Sequence, residues 1–239
     1  MERLDKFLCG SGAGTRSQVK DILKAGRVTV DGNPEKDGSR KIDPAIHTVT
    51  LDGQPLGGKR RMVVMLNKPA GYVTATEDAN EKTVMELLPE AWRHMDLRPV
   101  GRLDKATEGL LLFTNDGALA QRLLHPSHQV DKVYEVTVTG ELTGAAERLA
   151  SVDRLDGEAI VPAQVRELSR TGEKAVLEVI IHQGKKRQIR RMCAQVGLEV
   201  ARLKRVAEDG LVLGELPCGH WRYLTSGELD IIKGSDGHE

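Results

Sequence analysis

The residues best placed to do chemistry are in Gly101-Arg-Leu-Asp-Lys105, where a carboxylate, Asp104, stands between two cations, Arg102 and Lys105. The segment continues through Ala106-Thr-Glu-Gly109 into the apolar run Leu110-Leu-Leu-Phe113. Polar loops held at strand ends by a rigid sheet are common homes for catalysis. A carboxylate there can serve as nucleophile or as base; the plain alternative is a loop Asp ion-paired with its neighbours. Three other segments are unusual in composition: Leu66-Asn-Lys-Pro-Ala-Gly-Tyr72, Lys132-Val-Tyr134, and Gln183-Gly-Lys-Lys-Arg-Gln-Ile-Arg-Arg-Met192. Tyr134 is one of three tyrosines in the chain, and packing on the core is its simplest reading. Lys185, Lys186, Arg187, Arg190 and Arg191 together suit a phosphate backbone.

These residues need elements to hold them. Odd and even positions from Asp131 onward alternate across a strand, so Lys132 and Tyr134 share a face with Val136 and Val138. Strands are expected over 62–66, 108–113, 131–139, 159–168, 174–182 and 198–206, and helices over 83–88, 116–124, 143–151 and 187–196. Hairpin-length gaps between successive strands predict a mostly antiparallel mixed sheet in an α+β domain. Residues 1–58 read as a separate small unit. Its second helix starts from Thr15 as N-cap and stops at Gly26, with Val19, Ile22 and Leu23 as the apolar stripe. Arg16, Lys20, Lys24 and Arg27 line another side of it. The expected organisation is 1–58, then 59–233 with 59–61 as linker, then a polar tail, 234–239. Gln54–Arg61 reads as a flexible basic stretch, and Trp221–Thr225 as late core.

Lys plus Arg number 35, as do Asp plus Glu, so the net charge is zero. The distribution is uneven: His182–Arg205 carries eight basic residues and one acid, while Glu141–Glu173 carries seven acids and four bases. Focused basic charge is what marks a nucleic-acid footprint. Cys9, Cys193 and Cys218 are too scattered for a disulfide framework. No apolar run approaches the roughly 18 residues of a membrane span, and the opening residues lack a signal-peptide core. A cytoplasmic, monomeric protein is expected. His125-Pro-Ser-His128 and Cys218-Gly-His220 do not have the spacing of standard zinc motifs, so no metal is expected. There is neither a P-loop nor a Rossmann glycine pattern.

In their order and separation, the four chemistry-bearing segments resemble the RsuA/RluB/RluE/RluF-type rRNA pseudouridine synthases. The first 32 residues, from Arg3-Leu-Asp-Lys-Phe-Leu8 to Thr15 through Gly32, resemble the S4 RNA-binding domain that begins members of that group. The resemblance runs from residue 2 to about 230. It implies isomerisation of a specific uridine in folded ribosomal RNA without a cofactor. It further implies Asp104 as the catalytic carboxylate, Arg190 as its ion-pair partner and Tyr134 as the ring that stacks on the target uracil. Arg102 would enter the RNA where the uridine left. Lys185, Lys186, Arg187 and Arg191 would contact phosphates, as would the Arg16, Lys20, Lys24, Arg27 stripe. The Asn67-Lys68-Pro69 turn and Tyr72 would shape the wall near Asp104. Arg205-Val-Ala-Glu-Asp-Gly210 is more acidic than an RNA-facing loop of this group should be. The competing reading is a non-catalytic S4-type rRNA-binding ribosome-assembly factor.

Overall fold

The computed structural model describes residues 1–44, 46–56, 61–90, 92, 95–125 and 130–233. The chain forms two compact units: Met1–Met62 with Leu88–Arg98 and Thr114–Asp116, and Val63–Leu87 with Pro99–Phe113 and Gly117–Glu239.

The first unit begins with β1 (Glu2–Arg3), α1 (Leu4–Gly10) and α2 (Arg16–Lys24), followed by β2 (Val28–Val30), β3 (Asn33–Pro34), β4 (Lys41–Ile42), β5 (Val49–Leu51) and β6 (Gln54–Leu56). Thr15 caps α2 in a reciprocal box: Gln18 N–H donates to the Thr15 hydroxyl, and Thr15 N–H donates to the Gln18 side chain. Gly26 stops the helix at φ 69°. Val19 and Leu23 pack with Leu4, Phe7, Leu8, Val28, Val30, Ile42 and Val49. Arg16, Lys20 and Lys24 remain exposed. Gln54–Leu56 is not linker, as its Pro and polar residues suggested. Asp52-Gly53 makes a two-residue turn at positive φ, and β6 then pairs antiparallel with β5. Pro55 is tolerated because β6 is an edge strand. Residues 57–60 and the tail 234–239 lie outside the described residues.

The second unit continues with β7 (Val63–Lys68), a short 3₁₀ turn (Val84–Leu87), β8 (Arg98–Val100), β9 (Glu108–Thr114), α3 (Gly117–Leu124), β10 (Lys132–Gly140) and α4 (Ala145–Ala150). A small hairpin, β11 (Arg154–Leu155) and β12 (Glu158–Ala159), precedes β13 (Gln164–Thr171), β14 (Lys174–Ile181), α5 (Gln188–Gln195), β15 (Leu198–Glu208), β16 (Leu211–Val212), β17 (Trp221–Tyr223) and α6 (Ser226–Lys233). The main sheet runs β13-β14-β10-β15-β9-β7-β17, with β16 on β15 and β8 on β9. The pairs β13–β14, β14–β10, β10–β15 and β17–β7 are antiparallel, and β15–β9 is parallel. This is the α+β, mostly antiparallel mixed sheet that the hairpin spacing predicts. Val63, Met65, Leu110 and Leu112 from the central strands pack with Leu119 and Leu123 of α3 and Ile232 of α6. Trp221–Tyr223 is a partly exposed edge strand, and Leu224 after it is buried in that core.

The parallel contact is unusually close. Gly109 has φ +105°, and a Cβ placed there would lie 2.1 Å from the Arg205 carbonyl oxygen. Strain at a positive φ and overpacking each cost about 1–3 kcal/mol. Gly109→Ala should therefore lower unfolding stability by about 2–5 kcal/mol in urea titration. A midpoint within error of wild type would show that the two strands can part without cost.

Candidate active site

Asp104 lies in the loop between β8 and β9, half-buried. Every backbone carbonyl from Leu103 to Thr107 is held. Thr74 Oγ1 donates to Leu103 O at 2.8 Å and accepts from Leu103 N–H at 3.2 Å. Thr107 N–H donates to Asp104 O at 2.9 Å, and Gly71 N–H donates to Lys105 O at 2.7 Å. Arg190 Nη2 donates to Ala106 O at 3.0 Å. Lys68 Nζ reaches Thr107 O at 2.8 Å, Asp104 O at 3.3 Å, Lys105 O at 3.4 Å and its neighbour Pro69 O at 3.0 Å. Lys68 has no exposed surface. Burial pulls its pKa from 10.5 down to about 8, opposed by the charges of Asp104 and Glu108. Asn67, also buried, donates to Leu216 O at 2.7 Å, in the segment that leads into β17. Lys68 and Thr74 were not singled out by sequence for holding the Asp104 loop; only the Asn-Lys-Pro turn pointed there.

The backbone of the loop is thus fixed while its carboxylate is left available. Among the described residues, Asp104 makes no ion pair within 4.0 Å. The expected direct pairing with Arg190 takes another form here. The Arg190 guanidinium donates through Nη2 to Ala106 O and through Nη1 to Val200 O at 3.3 Å. It nevertheless feels the Asp104 charge, which opposes the lowering of its pKa by burial and by Arg187. Arg190 thus holds the backbone of the Asp104 loop at Ala106.

Tyr134 projects inward from β10, buried, with Val136 and Val138 on its face. Burial raises its pKa, the Arg205 guanidinium opposes that, and Glu208 and Asp104 add to the rise. Asp104, Tyr134 and Arg190 thus share one electrostatic neighbourhood within the second unit. A carboxylate, a buried phenol ring and a guanidinium in that relation can hold a flat base and act on the sugar attached to it.

The chain is similar to known proteins over nearly its whole length. The model of the RNA pseudouridylate synthase family matches residues 62–195, and the S4 domain model matches 2–45. An uncharacterized RNA pseudouridine synthase of Bacillus subtilis (strain 168) is 39% identical over 233 residues, covering 96% of this chain and 98% of that one. The chain belongs to the RNA pseudouridine synthase family. Ribosomal small subunit pseudouridine synthase A of Vibrio vulnificus (strain CMCP6) is 37% identical, with 96% and 99% of the two chains covered. Ribosomal large subunit pseudouridine synthase B of Bacillus subtilis is 32% identical, with 100% and 98% covered. A crystal structure of a pseudouridylate synthase superposes with a TM-score of 0.65 at 29% identity, covering 97% of this chain and all of that one.

The basic tract of this synthase is less bare than its sequence implies. Acids from the preceding segment fold back onto it: Glu158 pairs with Lys185 at 3.0 Å, and Asp156 with Arg191. Arg202 pairs with Glu108 at 2.7 Å. Arg205 and Glu208 pair with each other, buried at the end of β15, which accounts for the acid in this segment. Lys186 and Arg187 stay exposed without an ion pair among the described residues, and so does Arg102. Arg187 takes φ 51° as it leads into α5, a conformation uncommon for a bulky residue. In the first unit, Arg27 lies beyond the helix and is engaged by both oxygens of Asp52. No group of three or more His, Cys, Asp or Glu that could hold a metal ion occurs among the described residues. His128 of the His125-Pro-Ser-His128 pair lies outside them. No helix among the described residues is long and apolar enough to cross a membrane.

Proposed function

We propose that this synthase converts a uridine of folded ribosomal RNA to pseudouridine, with Asp104 as the reacting carboxylate. The observation that carries this is the loop of residues 103–107, whose carbonyls are all held while the Asp104 carboxylate makes no ion pair among the described residues, close to Tyr134 and Arg190. The reaction breaks the C1′–N1 bond, turns the base and joins C1′ to C5. Atoms and electrons balance within the nucleotide, so no cofactor or metal is needed. A carboxylate beside C1′ can attack it as a nucleophile or remove a sugar proton. Closing the site over a base would raise the Asp104 pKa by desolvation, and the Arg190 charge opposes that rise.

A base inside a stack cannot be reached and must be turned outward. Tyr134 supplies the flat surface beneath it, a contact of about 1–3 kcal/mol. Arg102 enters the gap left in the RNA. Lys186 and Arg187 contact phosphates directly, and Lys185 and Arg191 do so by exchanging Glu158 and Asp156 for phosphate oxygens. Arg16, Lys20 and Lys24 give the S4 domain its RNA face, with Arg27 at its margin. We assign residues 1–58 to the S4 domain and 59–233 to the catalytic domain, 59–61 being linker and 234–239 a tail, in a monomer acting in the cytoplasm. The names of the relatives, small-subunit and large-subunit synthases, support ribosomal RNA as the substrate.

The test is chemical mapping of pseudouridines in ribosomal RNA from a strain lacking this protein. At least one modified position should revert to uridine and return on complementation. An unchanged map would leave the non-catalytic assembly factor as the better reading.

A further inference from the structure

The strands β10 and β15 set two polar pairs face to face, one of a phenol with a guanidinium and one of an ammonium with a carboxylate. In their register Tyr134 lies opposite Arg205, and Lys132 lies opposite Glu208. The register shifts by one residue between Val133 and Tyr134, because Val206 is an extra residue on β15. Its carbonyl leaves the ladder and accepts from Leu213 N–H at 2.8 Å. In a regular strand, positions 205 and 208 would face opposite sides. The bulge turns both inward, onto the face that carries Lys132 and Tyr134.

Arg205 is 2% exposed, an unusual place for a guanidinium. It donates through Nη1 to Glu208 Oε1 at 3.1 Å and through Nε to Leu110 O at 2.8 Å. Leu110 belongs to β9, the strand that follows directly from the Asp104 loop. The backbone of Arg205 also pairs in parallel with Gly109. Its side chain therefore ties β15, which lies against the strand of the aromatic ring, to β9, the strand that follows the Asp104 loop. Arg205 Nη2 and Glu208 Oε2 are buried without a protein hydrogen-bond partner among the described residues. Such an incomplete buried pair costs stability, and replacing it with apolar residues is often neutral or favourable. Packing alone therefore does not account for it.

We infer that Arg205, held in place by Glu208, is a positioning residue that fixes the Tyr134 ring relative to the Asp104 loop. The inference rests on Tyr134 being the ring under the target base. Arg205 does not touch the RNA; it acts through the phenol, and its bond to Leu110 O anchors it to β9. Misplacing a reacting group by about 1 Å can cost a hundredfold in rate. Arg205→Met should slow single-turnover conversion of rRNA by about 10- to 100-fold. RNA affinity should change less than about threefold, since no phosphate contact is lost.

A double-mutant cycle separates positioning from general support. Tyr134→Phe removes the phenol, so adding Arg205→Met to it should cost little more. Losses that multiply would overturn the inference. An ultraviolet titration of the phenol reads the same contact without RNA or turnover, its signal assigned by its loss in Tyr134→Phe. The groups facing Tyr134 are Arg205 and Glu208, with Lys132 beside it and Asp104 beyond. Arg205→Met removes a cation that favours the ionised phenol, so ionisation should move to higher pH; an unmoved titration would also overturn the inference. If Arg205→Met fails to fold, Glu208→Gln carries the same cycle with Tyr134→Phe, and multiplying losses count against the inference there too. Loss of synthase activity in the wild type would sink the proposed function instead, leaving the titration result standing.

Discussion

Asp104→Asn should fold as well as the wild type and convert ribosomal uridine at least about a thousandfold more slowly. The reason for normal folding is local. The Asp104 side chain makes no ion pair among the described residues, and its carbonyl keeps its bonds to Lys68 and Thr107 whichever side chain it carries. The substitution would remove a charge that favours the Lys68 and Arg190 cations but would also relieve the half-burial of a carboxylate, so stability should change by less than about 1 kcal/mol. The reason for lost turnover is chemical: the amide keeps the shape but cannot attack C1′ or accept its proton. Single-turnover conversion and thermal melting, run on the same preparation, check both halves. A variant that reacts within tenfold of wild type would falsify Asp104 as the reacting group.

Lys68→Met should produce the second large effect, a fall in turnover of about a hundredfold from a loosened Asp104 loop. Met matches the length of the Lys stem but donates no hydrogen bond. Asp104 O and Lys105 O would retain Thr107 N–H and Gly71 N–H, whereas Pro69 O and Thr107 O would lose Lys68. Bare buried carbonyls cost about 1–3 kcal/mol each. Against this, the variant no longer buries an ammonium whose pKa is pulled from 10.5 to about 8, a relief of about 3 kcal/mol. The two terms nearly cancel, so the melting temperature should move little while the rate collapses. Unchanged turnover would show that the loop does not need the clamp. At high pH the wild type should show a milder form of the same effect, because the neutral amine keeps two N–H donors for its four carbonyls. Between about 8 and 10.5 the unfolded chain holds the Lys68 proton and the folded chain does not, so this group adds stability as pH rises through that window. Activity should therefore decline above pH 8 without unfolding.

Much of this fold could be read from residue patterns. The alternation along 132–138 is met by burial of Tyr134, Val136 and Val138. The Thr15 cap, Gly26 stop and apolar stripe of α2 are local signals with local causes. The end of the chain was harder. Ser226–Lys233 offers little beyond Leu229 and Ile232 as a helical stripe, and its helix depends on the core it covers. β6 was hidden by a Pro that an edge strand accepts. At the site, residue types were legible and their partners were not. Arg190 sits in reach of Asp104 but bonds to carbonyls 84 residues away and 10 residues away. Arg205 and Glu208 look like members of a solvent-exposed charged run, because no sequence pattern announces the bulge at Val206 that turns both inward.

The clamped loop leaves little freedom for adjustment on the protein side. When a carboxylate is mounted on a backbone with no slack, the substrate must do the yielding. Choice among uridines then rests on how cheaply each can leave its helix, and bulges, mismatches and junctions in the ribosomal transcript offer the lowest toll. A rigid enzyme of this kind reads its target partly as a weak point in someone else's structure.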